Sequence, residues 1–294
     1  MRISVIGAGQ MGGGIAQVFA TKGHQVSLVD ISQESLDRGI KAITGSLDRI
    51  VRKERITEAE KTEALGNITT FTDLAQGVKK AELVIEAATE NVTLKLDIFA
   101  RLSTLAPATA LLATNTSSIS ITQIAAATTR PEQVIGMHFM NPVPVMKLVE
   151  VIRGYATSDE ATRTIMELST SLGKVPVEVN DYPGFVANRI LMPMLNEAVY
   201  ALWENVGGVN QIDTVMKLGM AHPMGPLQLA DYIGLDTCLA ILNVMYDGFG
   251  RVHFKPCPLL VNMVTAGKLG RKSGEGFYDY SGGGKDLVVA AAFR

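Results

Sequence analysis

His138 and Glu150 are the two residues of this chain whose types and spacing most directly suggest chemistry. They lie in Val134-Ile-Gly-Met-His-Phe-Met-Asn-Pro-Val-Pro-Val-Met-Lys-Leu-Val-Glu150. An apolar run reaches a turn broken by Pro142 and Pro144, and a second apolar run, 145–152, returns. Two strands joined in this way can fold back so that His138 faces Glu150. A carboxylate against one imidazole nitrogen fixes the tautomer and raises the basicity of the other nitrogen, which suits a general acid or base. The competing reading is a structural histidine beside an unrelated glutamate, and the stretch alone does not separate the two.

A second group is Gly7-Ala-Gly-Gln-Met-Gly12, which follows the short apolar strand Arg2-Ile-Ser-Val-Ile. Ile15, Ala16, Val18, Phe19 and Ala20 then recur at helical spacing. Strand, glycine turn and helix is the context in which G-x-G-x-x-G binds a dinucleotide. Gly7 allows the tight turn, Gly9 lets a pyrophosphate approach the backbone, and Gly12 lets the helix pack on the strand, with Gln10 and Met11 between them. Asp30 ends the next strand, where its carboxylate can take both hydroxyls of an adenosine ribose and repel a 2′-phosphate. No arginine follows at once, so NAD(H) is expected over its phosphorylated form. The alternative is a structural glycine turn with a helix-capping aspartate.

Asn115-Thr-Ser-Ser118 ends the strand at 110–114, a position where ligands bind in open sheets. Ser118 or Ser120 can cap the helix expected over 119–127, leaving Asn115 and Ser117 for a ligand. Arg49, Arg52, Lys53 and Arg55 place four cations on one helix of a chain whose formal charge is −2. Such a run is either a solvated face or a grip on a phosphate-rich ligand.

These residues need a frame to hold them. Alternating strands and helices as far as 174–179, with 83–86 as a central strand and 92–105 and 158–172 as helices, predict an α/β domain with a Rossmann-type sheet. The stretch 33–65 reads as a helical hairpin inserted into it, broken near Thr57, whose hydroxyl and Glu60 match a capping box. Asp181-Tyr-Pro-Gly184 marks a boundary, giving a dinucleotide-binding domain at 1–182 and an all-α domain at 183–294. Helices are expected there at 185–204, 211–218, 227–246 and 258–266. The apolar face at Ile190, Leu191, Met194, Leu195 and Ala198 exceeds what so small a domain must bury, which predicts a subunit interface. The glycine-rich tail from Ser281 is expected to be poorly ordered.

With 47% hydrophobic and 19% charged residues the chain is a folded protein,. Its slight negative charge argues against a nucleic-acid surface. Cys238 and Cys257 have no motif spacing, which suggests a reducing compartment. The absence of a leader-like N-terminus and of a membrane-length apolar run points to the cytoplasm. Four histidines without clustering offer no metal site; His24, His222 and His253 are expected to be structural or exposed.

Taken in order, Gly7-Ala-Gly9, Asn115-Thr-Ser-Ser118, Gly136-Met-His-Phe-Met-Asn-Pro142, Asp181-Tyr-Pro-Gly-Phe185, Asn188-Arg189, His222-Pro-Met-Gly-Pro226 and Gly270-Arg-Lys-Ser-Gly274 resemble the L-3-hydroxyacyl-CoA dehydrogenases, above all the bacterial 3-hydroxybutyryl-CoA enzymes. The resemblance spans nearly the whole chain. It implies an NAD-dependent oxidoreductase interconverting 3-hydroxybutyryl-CoA and acetoacetyl-CoA, with coenzyme A as part of the substrate. It assigns His138 as catalytic base, Glu150 as its partner, and Ser117 and Asn188 to the reacting oxygen and neighbouring groups. It places Asp30, Glu90, Lys95, Asn115, Ser117 and Lys272 on the cofactor, and Ser46, Lys53 and Ser117 on coenzyme A. Family members are homodimers through the C-terminal domain. Met140, where an aromatic is common, is the one departure. Two rivals remain: a dehydrogenase of a free hydroxy or sugar acid on the same fold, and a non-catalytic NAD-binding relative.

Overall fold

The computed structural model describes residues 1–282 and 287–294 and divides into two compact units, Met1–Tyr182 and Pro183–Arg294. The first unit begins β1 (Arg2–Ile6), α1 (Gln10–Ala20), β2 (Gln25–Val29), α2 (Gln33–Val51), α3 (Glu58–Gly66), β3 (Ile68–Phe71), α4 (Leu74–Val78) and β4 (Leu83–Glu86). It continues with α5 (Val92–Leu105), β5 (Leu111–Thr114), α6 (Ile121–Ala126), β6 (Val134–Phe139), β7 (Leu148–Arg153), α7 (Asp159–Ser171) and β8 (Val175–Asn180). The eight strands form one sheet in the order β3-β2-β1-β4-β5-β6-β7-β8. All neighbours are parallel except β6 and β7. Every residue of β4 and β6 is buried, as expected of strands with both faces covered,.

The order of strands reverses between β1 and β4, and that reversal opens a crevice at the carboxyl ends of the strands,. Gly7 turns the chain there with φ +102°, a value that side chains disfavour,. Its N–H donates to Val29 O at 2.7 Å, which ties the turn to β2. A Cβ on Gly12 would lie 1.8 Å from Gly7 O, so only glycine lets α1 lie so close to the turn.

The hairpin of α2 and α3 is built by its caps. Ser32 accepts from Ser35 N, and Thr57 forms a reciprocal capping box with Glu60,. Helix α2 stops at Val51, so Arg52, Lys53 and Arg55 stand in the turn of the hairpin and only Arg49 of the four cations is helical. β3 and α4 fill 66–82, where the sequence shows no period; elements of four and five residues are too short to display one,. At the far edge β8 pairs, among the described residues, on one side only, with Val175 N donating to Lys147 O and Asp181 N to Arg153 O.

The second unit comprises α8 (Ala187–Trp203), α9 (Val209–Gly219), α10 (Pro226–Ile233), α11 (Leu235–Phe249), α12 (Pro258–Thr265) and a small antiparallel pair, β9 (Tyr278–Asp279) with β10 (Val288–Val289). The helix expected over 227–246 is two helices meeting at 95°, because Gly234 at φ +103° ends one and begins the other. Among the described residues no single helix is long and apolar enough to cross a membrane. Two buried aspartates organise the core. Asp213 accepts from Leu227 N, Gln228 N and Tyr278 Oη, and Asp231 from Phe277 N, Tyr278 N and Tyr280 Oη. Burial pushes the Asp231 carboxyl up to about 6 against those donors.

The tail departs from its expected disorder. Residues 283–286 lie outside the described chain, but Ala290 is buried, its N–H donates to Phe277 O, and Phe293 packs 5.8 Å from the Phe277 ring. The apolar end of the chain is part of the helical core, which is why a glycine-rich start misleads.

Gly12→Ala is expected to lower stability by about 3 kcal/mol or to prevent folding, since the new methyl meets backbone that cannot yield. Gly9→Ala, whose Cβ would find no protein atom within 4 Å, should unfold at the parent's urea midpoint. Equal midpoints for both variants would contradict the packing described.

Candidate active site

The crevice is a cavity of about 850 Å³. Gly7 to Gln10 form one wall, Ala87 to Thr89 a second, and Asn141 to Pro144 a third. Helix α1 starts at Gly9 with no side-chain cap, so its first-turn donors are left for an anion,. The empty space beside the Gly9 Cα is the room a pyrophosphate requires. Asp30 lines the same cavity with its carboxylate already oriented. One oxygen accepts from Ala8 N at 2.9 Å and the other from Ser32 N at 3.1 Å, and each keeps a second lone pair,. Gly7, Gly9, Gln10 and Asp30 therefore meet in one place and fit a dinucleotide. Gly12 serves the packing behind them, and Met11 packs against the core.

Ser46 lines this cavity as well, together with Arg38 and Arg49 from α2 and Arg101 from α5. Lys53, beyond the end of α2, is not among its lining residues. Arg38 and Arg101 carry no signal in the sequence, because only the fold brings them beside Arg49.

The antiparallel register of β6 and β7 puts His138 directly opposite Glu150. Nδ1 of the imidazole lies 2.9 Å from Glu150 Oε2, and both residues are buried. A carboxylate there accepts a hydrogen bond from Nδ1–H and so holds the tautomer in which Nε2 is the atom for proton exchange. Next to this pair, Asn115 Oδ1 accepts from Phe139 N at 2.9 Å, joining the end of β5 to the end of β6. The side-chain oxygen of Asn115 thus has a structural duty at this point of the sheet.

Ser117 is held from below. Its N–H donates to Glu90 Oε1 at 2.9 Å, and the same oxygen receives Thr116 Oγ1 at 2.5 Å and Ser118 Oγ at 3.2 Å. Burial alone would raise the Glu90 carboxyl, but Lys95 and the donors of Thr116 and Ser117 outweigh it and hold it below its ordinary value. Lys95 is only 1% exposed. Its ammonium lies 2.6 Å from Glu86 and 3.4 Å from Glu90, and the cavity wall does not include it. Glu86, buried at the end of β4, also accepts from Ala88 N and Thr114 Oγ1 at 2.7 Å each. This carboxylate has no motif and is visible only in the fold. Ser120, rather than Ser118, caps α6.

Two assigned residues belong to the second unit. Asn188 is buried in the first turn of α8, its N–H donating to Gly184 O at 3.1 Å. Lys272 lies in a 3₁₀ turn and forms an ion pair with Asp236.

Comparison with known proteins covers both units. Residues 2–182 match the family model described as 3-hydroxyacyl-CoA dehydrogenase, NAD binding domain. Residues 184–280 match the model described as 3-hydroxyacyl-CoA dehydrogenase, C-terminal domain. The chain is 56% identical over 280 residues to a probable 3-hydroxybutyryl-CoA dehydrogenase of Deinococcus radiodurans, covering 95% of this chain and 100% of the relative. It is 53% identical over 279 residues to a probable 3-hydroxybutyryl-CoA dehydrogenase of Bacillus subtilis, covering 95% and 97%. Its structure is similar to that of the (S)-3-hydroxybutyryl-CoA dehydrogenase of Ralstonia eutropha, with a TM-score of 0.92, 49% identity, and 95% and 98% of the two chains covered.

The buried Lys95 gives a direct test. Lys95→Met leaves Glu86 with an uncompensated charge and should cost about 3–5 kcal/mol in urea unfolding. The double variant Glu86→Gln, Lys95→Met should recover most of that loss. A single variant as stable as the parent would mean that the two groups do not depend on each other.

Proposed function

The chain belongs to the 3-hydroxyacyl-CoA dehydrogenase family, and from that premise we propose that it interconverts (S)-3-hydroxybutyryl-CoA and acetoacetyl-CoA with NAD(H), His138 serving as acid and base. The observation that carries the reading is the His138–Glu150 pair at 2.9 Å, with His138 three residues before Asn141 in the wall of the dinucleotide cavity.

NAD, when bound, supplies the acceptor or donor of hydride. In the oxidative direction Nε2 of His138 takes the proton of the 3-hydroxyl. Glu150 stabilises the imidazolium that results, at the nitrogen it already holds. Ser117, fixed through Glu90, orients the reacting oxygen, and Asn188 has the same task by the family resemblance. Orientation of this kind acts on rate, since a displaced oxygen leaves the line of proton transfer. In reduction protonated His138 returns the proton.

Gly7, Gly9, Gln10 and Asp30 hold the dinucleotide in this reading, supported by the open space at Gly9 and the orientation of the Asp30 carboxylate. Glu90, Lys95 and Asn115 do not line the cavity themselves, and they, like Lys272, are assigned to the cofactor by the resemblance alone. For coenzyme A, Ser46 and the cations Arg38, Arg49 and Arg101 are the supported contacts, with Lys53 at the outer end of the hairpin. Association of two copies through the second unit is part of the same reading. Of the face expected to carry it, Leu195 and Ala198 are buried in the unit's own core with Leu191 and Met194 packed against it, and the support is the largely exposed Ile190, together with Val206 and Leu218. The free, buried thiols of Cys238 and Cys257 agree with work in the cytoplasm,.

Steady-state oxidation of NADH with acetoacetyl-CoA, longer 3-ketoacyl-CoA thioesters and free acetoacetate tests the proposal. Acetoacetyl-CoA should be turned over with the highest kcat/KM, and a preference for the free acid would overturn it. His138→Ala should lower kcat by about 10³-fold while NADH still binds; a variant of near-parental kcat would remove the proposed acid and base. Asp30→Ala should reduce the preference for NADH over NADPH, measured as the ratio of the two kcat/KM values.

A further inference from the structure

Lys174 has no part in the functions described so far, yet it is 8% exposed and its charge is turned inward. Its Nζ donates to Val143 O at 2.5 Å and to Met146 O at 2.7 Å. Those two carbonyls belong to the turn that follows Asn141, the third wall of the cavity. Within the turn Val145 N and Met146 N both donate to Pro142 O at 3.0 Å. Next to the lysine, Val175 N donates to Lys147 O, so the link between α7 and β8 grips the stretch 143–147 by side chain and backbone together.

The other side of the turn rests on the dinucleotide cradle. A Cβ on Gly14 would come within 2.9 Å of Val143 Cβ and 3.6 Å of Pro144 Cδ, so the turn lies directly on the bare face of α1. Gln10 Nε2 donates to Asn141 Oδ1 at 3.0 Å, a second tie between the same two segments. Val143 itself is 2% exposed. The turn is thus pressed between α1 and the lysine, and the lysine is what holds it from behind.

An ammonium on two main-chain carbonyls makes charge-assisted hydrogen bonds that a neutral residue does not replace. Buried charge aimed at the backbone of a cavity wall has positioning as its use. We propose that Lys174 is a positioning residue that holds the Asn141–Met146 turn closed on α1 and so completes the dinucleotide site. The inference rests on the reading of the cavity as the NAD(H) site.

The test compares the parent with Lys174→Met, which keeps most of the length of the side chain and loses its donors. NADH binding is read by the change in its fluorescence, and the turn by hydrogen exchange at the amides of Val145 and Met146. The variant should bind NADH about tenfold more weakly and raise KM for NADH more than KM for acetoacetyl-CoA. Exchange at Val145 and Met146 should quicken while the amides of β6 keep their protection. If Lys174→Met does not fold, Lys174→Gln, whose single amide cannot satisfy both carbonyls, takes its place under the same expectations. Parental NADH affinity with parental exchange at the two amides would overturn the proposal, as would an even loss of protection across β6. A parent that does not bind NADH at all would instead remove the reading of the cavity.

Discussion

One hydrogen bond across an antiparallel strand pair sets the terms for the rest of the first unit. His138 meets Glu150 only because β6 and β7 are paired in one register, and side chains on a strand alternate faces with a period of two,. A slip of one residue would send the carboxylate to the opposite face of the sheet and leave a buried imidazole with no acid beside it. The register is held from several directions. The turn at 141–146 closes on Pro142 O, Asn115 pins Phe139, and Lys174 grips the carbonyls of the turn. Among the described residues, the one antiparallel pairing in this sheet is the one that carries the acid-base pair.

The first unit also buries several charged side chains. Glu86, Lys95, Glu150 and Lys174 are each at most 8% exposed. Ionised groups out of water are unfavourable unless every oxygen and proton has a partner. Here the partners are chosen from segments that must stay together. Glu86 joins the end of β4 to the start of the next loop and to β5, and Glu90 gathers three consecutive residues of the 116–118 loop onto one oxygen. Apolar contacts could fill the same volume but could not fix the direction of an N–H or a hydroxyl. The loops at the carboxyl ends of these strands gain geometry from charge where the core gains stability from packing.

Much of this was legible in the residues themselves, and the legible part was local. The glycine turn, the acid at the end of β2, the capping box at Thr57 and the two apolar runs around His138 are each written within about twenty residues. What escaped was either too short or too distant. β3 and α4 are too brief to show a period, and the break at Gly234 falls inside a continuous apolar helix pattern that gives no sign of a bend. Arg38, Arg101 and Lys174 look like ordinary surface charges in a linear reading. Their roles come from contacts that join residues tens of positions apart, as when the Lys174 ammonium reaches Val143 across 31 positions. The apolar end at Phe293 was obscured by the glycines before it.

The outer strand of the sheet carries one more consequence. Along β8 the N–H groups of Val175 and Asp181 turn toward β7, so the even-numbered positions between them face the open edge,. Pro176 occupies the first of those positions and has no hydrogen to offer. A second chain laid along this rim would find its ladder interrupted at the outset, which disfavours growth of a continuous intermolecular sheet. Polymerisation by strand addition is thereby discouraged, and crowding in concentrated solution should produce contacts between side chains instead of fibres.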